Sequence, residues 1–209
     1  TGGAPYVGDV VIDADKIAYV GPHRAMSARR VIDARGQTVS PGFINMLSQA
    51  QESLLVDGRG LSDLVQGVTL EVTGEGDSMG PLTDAVAARN QARQDDIKYP
   101  ISWRSLGGYL ETLERRGVSL NVASMVGAAT VRDDLLGEAD VQPTPRQLVE
   151  MRALVRQAML DGALGVSSAL IYAPGTYAKT PELKALATEA GMCGGIYITH
   201  MRSEGNDLL

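Results

Sequence analysis

The rhythm of apolar and polar positions changes near residue 41. Before it, short apolar runs separated by turns predict strands. Val7 to Ile12 is the first, and the Asp13-Ala14-Asp15 turn leads to Lys16 to Val20, which Gly21-Pro22 ends. Val31 to Asp33 and Thr38-Val39 read as two more short strands around a turn at Asp33 to Gly36. This is a small antiparallel unit, too small to hold a large core alone.

From Pro41 onward strand and helix patterns alternate. Apolar runs at Gly42 to Leu47, Gly67 to Thr73, Val118 to Val126, Leu164 to Leu170 and Gly195 to Ile198 predict strands. Between them lie helical segments over 61–66, 81–93 and 105–116; the last carries Leu106, Tyr109, Leu110 and Leu113 at helical spacing and ends at Gly117. Residues 133–145 are acidic and contain proline, which predicts a surface loop. Thr144-Pro145 then opens a helix whose buried stripe is Leu148, Met151, Leu154, Val155, Ala158 and Met159. Thr180-Pro181-Glu182 repeats that opening for a helix over 180–192. Alternating β/α units with short connections predict an α/β fold with a parallel sheet covered by helices.

The first strand of this part is followed by no G-x-G-x-x-G turn, and the glycine-rich loop at Gly74 to Gly80 carries two carboxylates, a poor phosphate nest. A barrel is therefore favoured over an open dinucleotide-binding sheet. A complete (β/α)8 TIM-type barrel takes roughly 250 residues. The expectation is thus a partial barrel of about five of eight strands over 41–209, truncated after strand five. It is preceded by a small, incomplete β-sandwich-type domain over 1–40.

Composition narrows the classes. The hydrophobic fraction of 44% and charged fraction of 21% are those of a globular protein. A formal net charge of −6 offers no basic surface, so neither nucleic acid nor an anionic membrane is expected as partner. No apolar run approaches the ~20 residues of a membrane span. The single cysteine, Cys193, excludes an internal disulfide and a thiolate cage, and is expected to be a buried, inert thiol. The chain starts Thr1-Gly2-Gly3 without methionine and stops at Leu209 just past an apparently functional strand end. It is therefore expected to be a piece of something longer that pairs with the rest of its barrel or with itself. A leader would lie outside it, which leaves the compartment open, cytoplasm or periplasm.

The stretch GGIYITHMRSEG, residues 194–205, concentrates the chemistry. It places His200, Arg202 and Glu204 at the carboxyl end of a strand, where α/β sheets carry their sites. A satisfied histidine at a strand terminus is the plainer alternative. The other strand ends offer Asn45 and Ser48; Glu71, Glu75 and Asp77; Asn121 and Ser124; and Ser167, Ser168 and Tyr172. His200 and Glu75, facing each other across a barrel mouth, would supply nitrogen and oxygen ligands for a divalent metal. Tyr172 and Ser168 are candidate substrate contacts. Arg202 is a candidate clamp for a substrate carboxylate, with pairing to Glu204 or Asp77 as the alternative.

Five ordered segments resemble one known family: GDVVIDADKIAYVG with VIDARGQTVSPGFI, then QGVTLEVTGEG, NVASMVG, DGALGVSSALIYAPGTYAKTPEL and YITHMRSEG. The chain resembles the N-acyl-D-amino-acid deacylase (D-aminoacylase) branch of the amidohydrolase superfamily. The resemblance implies a small β domain beside a metal-dependent barrel that hydrolyses the amide of N-acylated D-amino acids. It also marks departures. The family's His-x-His after strand one is absent after Asn45-Met46-Leu47, and its Gly-Asn-Cys-Gly loop is here Gly74-Glu75-Gly76-Asp77. The Gly-His after strand three is Gly127-Ala128, whereas the strand-five histidine is matched by His200.

The resemblance thus implies a thin ligand set: His200, Glu75 in place of the thiolate (Asp77 the second choice), and a later histidine. One divalent metal ion is expected, zinc before manganese or iron. The general-base aspartate of the family would lie beyond Leu209. Two alternatives stay open: a non-catalytic barrel that lost its metal, and a hydrolase of another amide, lactone or cyclic substrate on the same fold.

Overall fold

The β-rich sequence before Pro41 yields one hairpin. The computed structural model describes residues 3–205. The chain divides into two compact units, Thr1–Pro41 and Gly42–Leu209. In the first, β1 (Asp9–Asp13) pairs antiparallel with β2 (Lys16–Gly21), with a bulge at Val11/Ile12 and Ala14 at positive φ in the turn. The strands expected at 31–33 and 38–39 do not form; both stretches are irregular. Val31 and Ile32 remain exposed, so no burial against a core favours a strand there.

The second unit is α/β with parallel strands. One sheet has the order β3 (Phe43–Asn45), β4 (Val68–Thr73), β5 (Asn121–Ser124); the other has β6 (Val126–Gly127), β7 (Gly165–Ala169), β8 (Ile196–His200). All four pairings are parallel. The sequence predicts a single strand from Val118 to Val126, and the structure breaks it at Met125. There the Met125 N–H donates to the Thr73 carbonyl (2.9 Å), while the Ser124 carbonyl accepts from Leu164 N–H (2.9 Å). The chain thereby hands over from one neighbouring strand to the next.

Among the described residues six α-helices follow the alternation: α1 (Leu61–Leu64), α2 (Asp84–Arg93), α3 (Leu106–Arg116), α4 (Ala128–Leu136), α5 (Pro145–Leu160) and α6 (Thr180–Met192). The expected loop over 133–145 is corrected at its start, because α4 runs to Leu136. Its acidic residues are spent on tertiary partners: Asp133 pairs with Arg89, and Asp134 accepts from the Thr83 N–H. The expected cap of α6 also differs. The N-cap is Lys179, without a side-chain bond, and Glu182 in the first turn turns inward to Arg132 at 2.6 Å.

The core joins the helices to the sheets through Leu54, Trp103, Leu106, Tyr109, Met151, Val155, Val166 and Leu186. On α5, Met151, Val155 and Ala158 are buried as the stripe predicts, with Leu148, Leu154 and Met159 packed beside them. Arg132 and Glu182 are both buried, so this pair lies in the core itself. Cys193 is exposed, contrary to expectation, because it stands at the C-cap of α6 after the last core turn. Among the described residues no helix is long and apolar enough to cross a membrane.

Candidate functional site

Strand alternation decides which residues of β7 and β8 share a face. Val166 and Ser168 stand opposite Tyr197 and Thr199, and Val166 belongs to the core beneath the helices. Ser167 and Ala169 stand opposite Ile198 and His200 and therefore occupy the other face. His200, the last residue of β8, is carried on that second face and is partly buried, its side chain 25% exposed.

Each imidazole nitrogen of His200 is faced by a carboxylate. Nε2 lies 3.1 Å from Glu204 Oε1, and Nδ1 lies 3.7 Å from Glu75 Oε1. The first is within the distance of a hydrogen bond but lacks the alignment of one. The second is too long for one. In the tautomer protonated at Nε2, Nδ1 turns a lone pair toward a carboxylate oxygen, and two acceptors facing across such a gap would be stabilised by a cation between them. The ring edge-packs against Tyr172, with centroids 5.7 Å apart and an interplanar angle of 73°.

Glu75 reaches this point from a tightly held loop after β4. Gly74 and Gly76 on either side of it both have positive φ, and a Cβ on Gly76 would strike the Ala169 side chain. The Ser167 hydroxyl accepts from Gly76 N–H at 3.0 Å and donates to the Gly74 carbonyl. The Gly76 carbonyl accepts from Ala129 N–H at 3.0 Å, at the start of α4. Further along, the Ser78 hydroxyl accepts from Gly127 N–H at 2.9 Å and donates to the Gly80 carbonyl at 2.7 Å.

The remaining predicted residues divide. Tyr172 is brought to His200. Ser168 is on the opposite face of β7, where its hydroxyl bonds the Tyr197 hydroxyl (2.6 Å) and the Thr199 hydroxyl (2.7 Å). Arg202 donates to the carbonyls of Thr176 (2.6 Å) and Ala178 (2.9 Å), so it fastens the loop that follows Tyr172 rather than a free mouth. Glu204, weighed as a partner for Arg202, takes His200 instead. Asp77 keeps accessible surface, yet protein packed around its carboxyl raises its pKa by desolvation, with the Asp133 charge adding to the effect. Glu71 lies in the middle of β4 on the core side, fully buried, with Ser48 donating to it at 2.9 Å. Ser167 was only one of several serines at strand ends. The signal that distinguishes it is period two: it shares a face with His200, whereas Ser168 does not.

Among the described residues no three His, Cys, Asp or Glu side chains converge to hold a metal. His200 and Glu75 would make two of the three protein ligands an open catalytic site needs, with the Glu204 carboxylate on the far side of the ring. As donors these residues fit a divalent ion such as zinc. The other histidine, His23, bonds Asp9 in the N-terminal unit.

Comparison with known proteins finds relatives over nearly the whole chain. A D-aminoacylase from Alcaligenes xylosoxydans xylosoxydans is 32% identical over 204 residues, covering 96% of this chain and 42% of the relative. An N-acyl-D-glutamate deacylase from the same organism is 32% identical over 209 residues, covering 98% and 42%. A crystal structure of D-aminoacylase, described as defining a novel subset of amidohydrolases, superposes with a TM-score of 0.85 at 34% identity, over 97% of this chain and 43% of that one. Over nearly its whole length the chain is similar to the N-acyl-D-amino-acid deacylases, and to solved D-aminoacylase structures described as amidohydrolases.

It spans about two fifths of the length of the curated relatives it matches. Among solved members of this deacylase branch, an N-acyl-D-glutamate deacylase from Bordetella bronchiseptica was determined with zinc and a phosphonate mimic of the tetrahedral intermediate. It superposes with a TM-score of 0.76 at 28% identity, over 92% of this chain and 40% of that one. Another, a D-aminoacylase, is described through its binuclear metal centre (TM-score 0.82, 36% identity, 94% and 42% covered). No family model matches the chain.

Proposed function

We propose that the chain is part of a metal-dependent hydrolase that cleaves the amide bond of N-acyl-D-amino acids or related small acylated amino acids. Its parallel strands are read as the first five of a (β/α)8 barrel, with β5 and β6 counting as one strand, preceded by a small β domain. His200 and Glu75 hold one divalent ion, zinc, together with a histidine that this chain does not supply among its described residues. The observation that carries the reading is the arrangement at His200: Nε2 faces Glu204 at 3.1 Å, and Nδ1 faces Glu75 across 3.7 Å. Kinship to the deacylases supports the substrate class.

The residues have separate tasks. Glu204, whose carboxylate faces Nε2, favours a proton there, which leaves Nδ1 its lone pair. The Tyr172 ring, 60% exposed, holds the imidazole plane and offers substrate an apolar wall with a phenol hydroxyl. Arg202 ties the 176–178 backbone beneath that wall. A bound divalent ion would lower the pKa of water and polarise the amide carbonyl.

The test is elemental analysis of the protein purified without added metal, beside His200→Ala and Glu75→Ala. Near one metal per chain, lost in both variants, followed by hydrolysis of N-acyl-D- but not N-acyl-L-amino acids, is the expected result. Metal kept in Glu75→Ala removes that residue from the ligand set. A second reading, a barrel that has lost catalysis, is favoured by the lack of histidine after β3 and by the absence of three converging ligands among the described residues. No metal in the wild type even after supplementation would establish it in place of the first.

A further inference from the structure

Among the described residues, Ser167 does something no other side chain of the second unit does: one hydroxyl holds both peptide groups of a candidate ligand residue. The Gly74 carbonyl belongs to the peptide bond entering Glu75, and the Gly76 N–H belongs to the peptide bond leaving it. Ser167 Oγ donates to the first and accepts from the second, 91 residues away in sequence from Gly76. Its own exposure is 0%, so no water competes for either bond. A carboxylate on a loop between two glycines would otherwise be free to rotate with its backbone. With both flanking peptides held, the Glu75 backbone is held too, and its carboxylate comes within 3.7 Å of His200 Nδ1 on β8, the neighbour of β7.

We propose that Ser167 is the positioning residue that aims the Glu75 carboxylate at His200, and so sets how tightly the pair takes a divalent metal. The inference rests on reading Glu75 as a metal ligand. Ser167 itself touches neither metal nor substrate; it acts through the 74–76 backbone. Outer residues that orient ligands typically change metal affinity by about 10–100-fold when removed.

The test is a double-mutant cycle on metal affinity rather than on turnover. The zinc dissociation constant is measured by chelator competition for wild type, Ser167→Ala, Glu75→Ala and the double variant, with the cobalt(II) absorption spectrum recorded for each. Expected are a weakening of about 10–100-fold in Ser167→Ala, a changed cobalt spectrum, and no further loss when Ser167→Ala is added to Glu75→Ala. If Ser167→Ala does not fold, Ser167→Cys keeps nearly the same volume with a weaker hydrogen-bonding group and is expected to weaken zinc in the same direction.

Wild-type zinc affinity in the serine variant, alongside loss in Glu75→Ala, overturns the positioning role alone. An equal loss in both backgrounds does so as well, since it would mark a general structural effect. Wild-type affinity in Glu75→Ala overturns the ligand reading itself and the positioning role with it, a result distinct from the other two.

Discussion

Glu71 sits in the middle of β4 with one carboxylate oxygen, Oε1, that has no hydrogen-bond partner, while Oε2 accepts from Ser48. Burial raises its pKa above the ordinary 4.5; the Ser48 bond works against this and the Asp63 charge adds to it. The folded state therefore holds the Glu71 proton more tightly than the unfolded chain does. That contribution to stability is fully present below pH 4.5 and is lost as pH rises through the raised folded pKa. Glu71→Gln, which keeps the shape without the charge, is expected to raise stability at neutral pH and to flatten the loss of stability above pH 4.5. Thermal melts from about pH 4 to about pH 8, which spans the carboxylate-to-neutral range, check it; an unchanged slope would refute the assignment. From sequence Glu71 was one acid among three near a strand end. Only the register with Asn45 and Val122, the latter packed on the core, sets it apart from Glu75.

At the scale of the element, α5 and α6 begin with the same letters and differ in what the letters do. Thr144 Oγ1 accepts from Gln147 N–H at 3.3 Å, and Gln147 Oε1 accepts from Thr144 N–H at 3.0 Å, a reciprocal capping box with Pro145 in the first turn. Thr144→Ala is expected to cost about 1 kcal/mol, read as a lower urea midpoint with an unchanged slope. For Thr180 no such cost is expected, because the N-cap there is Lys179 and makes no side-chain bond. The helix signals were legible because caps are local. The helix α4 was not, because its acids Asp133 and Asp134 find their partners about 44 and 51 residues away, at Arg89 and Thr83.

For the whole molecule the consequential feature is its two open sheet edges. Among the described residues β3 pairs only with β4, and β8 only with β7. Phe43, Ile44, Met46 and Leu47 near the first edge and Ile196, Tyr197 and Met201 near the second are exposed. Unpaired strands with apolar flanks template further pairing. The 209-residue chain expressed by itself is therefore expected to self-associate, its mass by light scattering rising with concentration. A concentration-independent monomer that unfolds in one cooperative step would refute that expectation.

Period and punctuation in the sequence determined the change of grammar at Pro41, the parallel α/β character of the second unit, the stripe of α5 and the strand that ends in His200. These depend on neighbours within a few residues, which the chain displays directly. Tertiary structure alone decided that Ser167 rather than Ser168 serves the face of His200, and that Arg202 binds backbone carbonyls. The first depends on register between strands, the second on a loop 24–26 residues away in sequence. Because side chains alternate faces, one residue of register exchanges a functional group for a structural one.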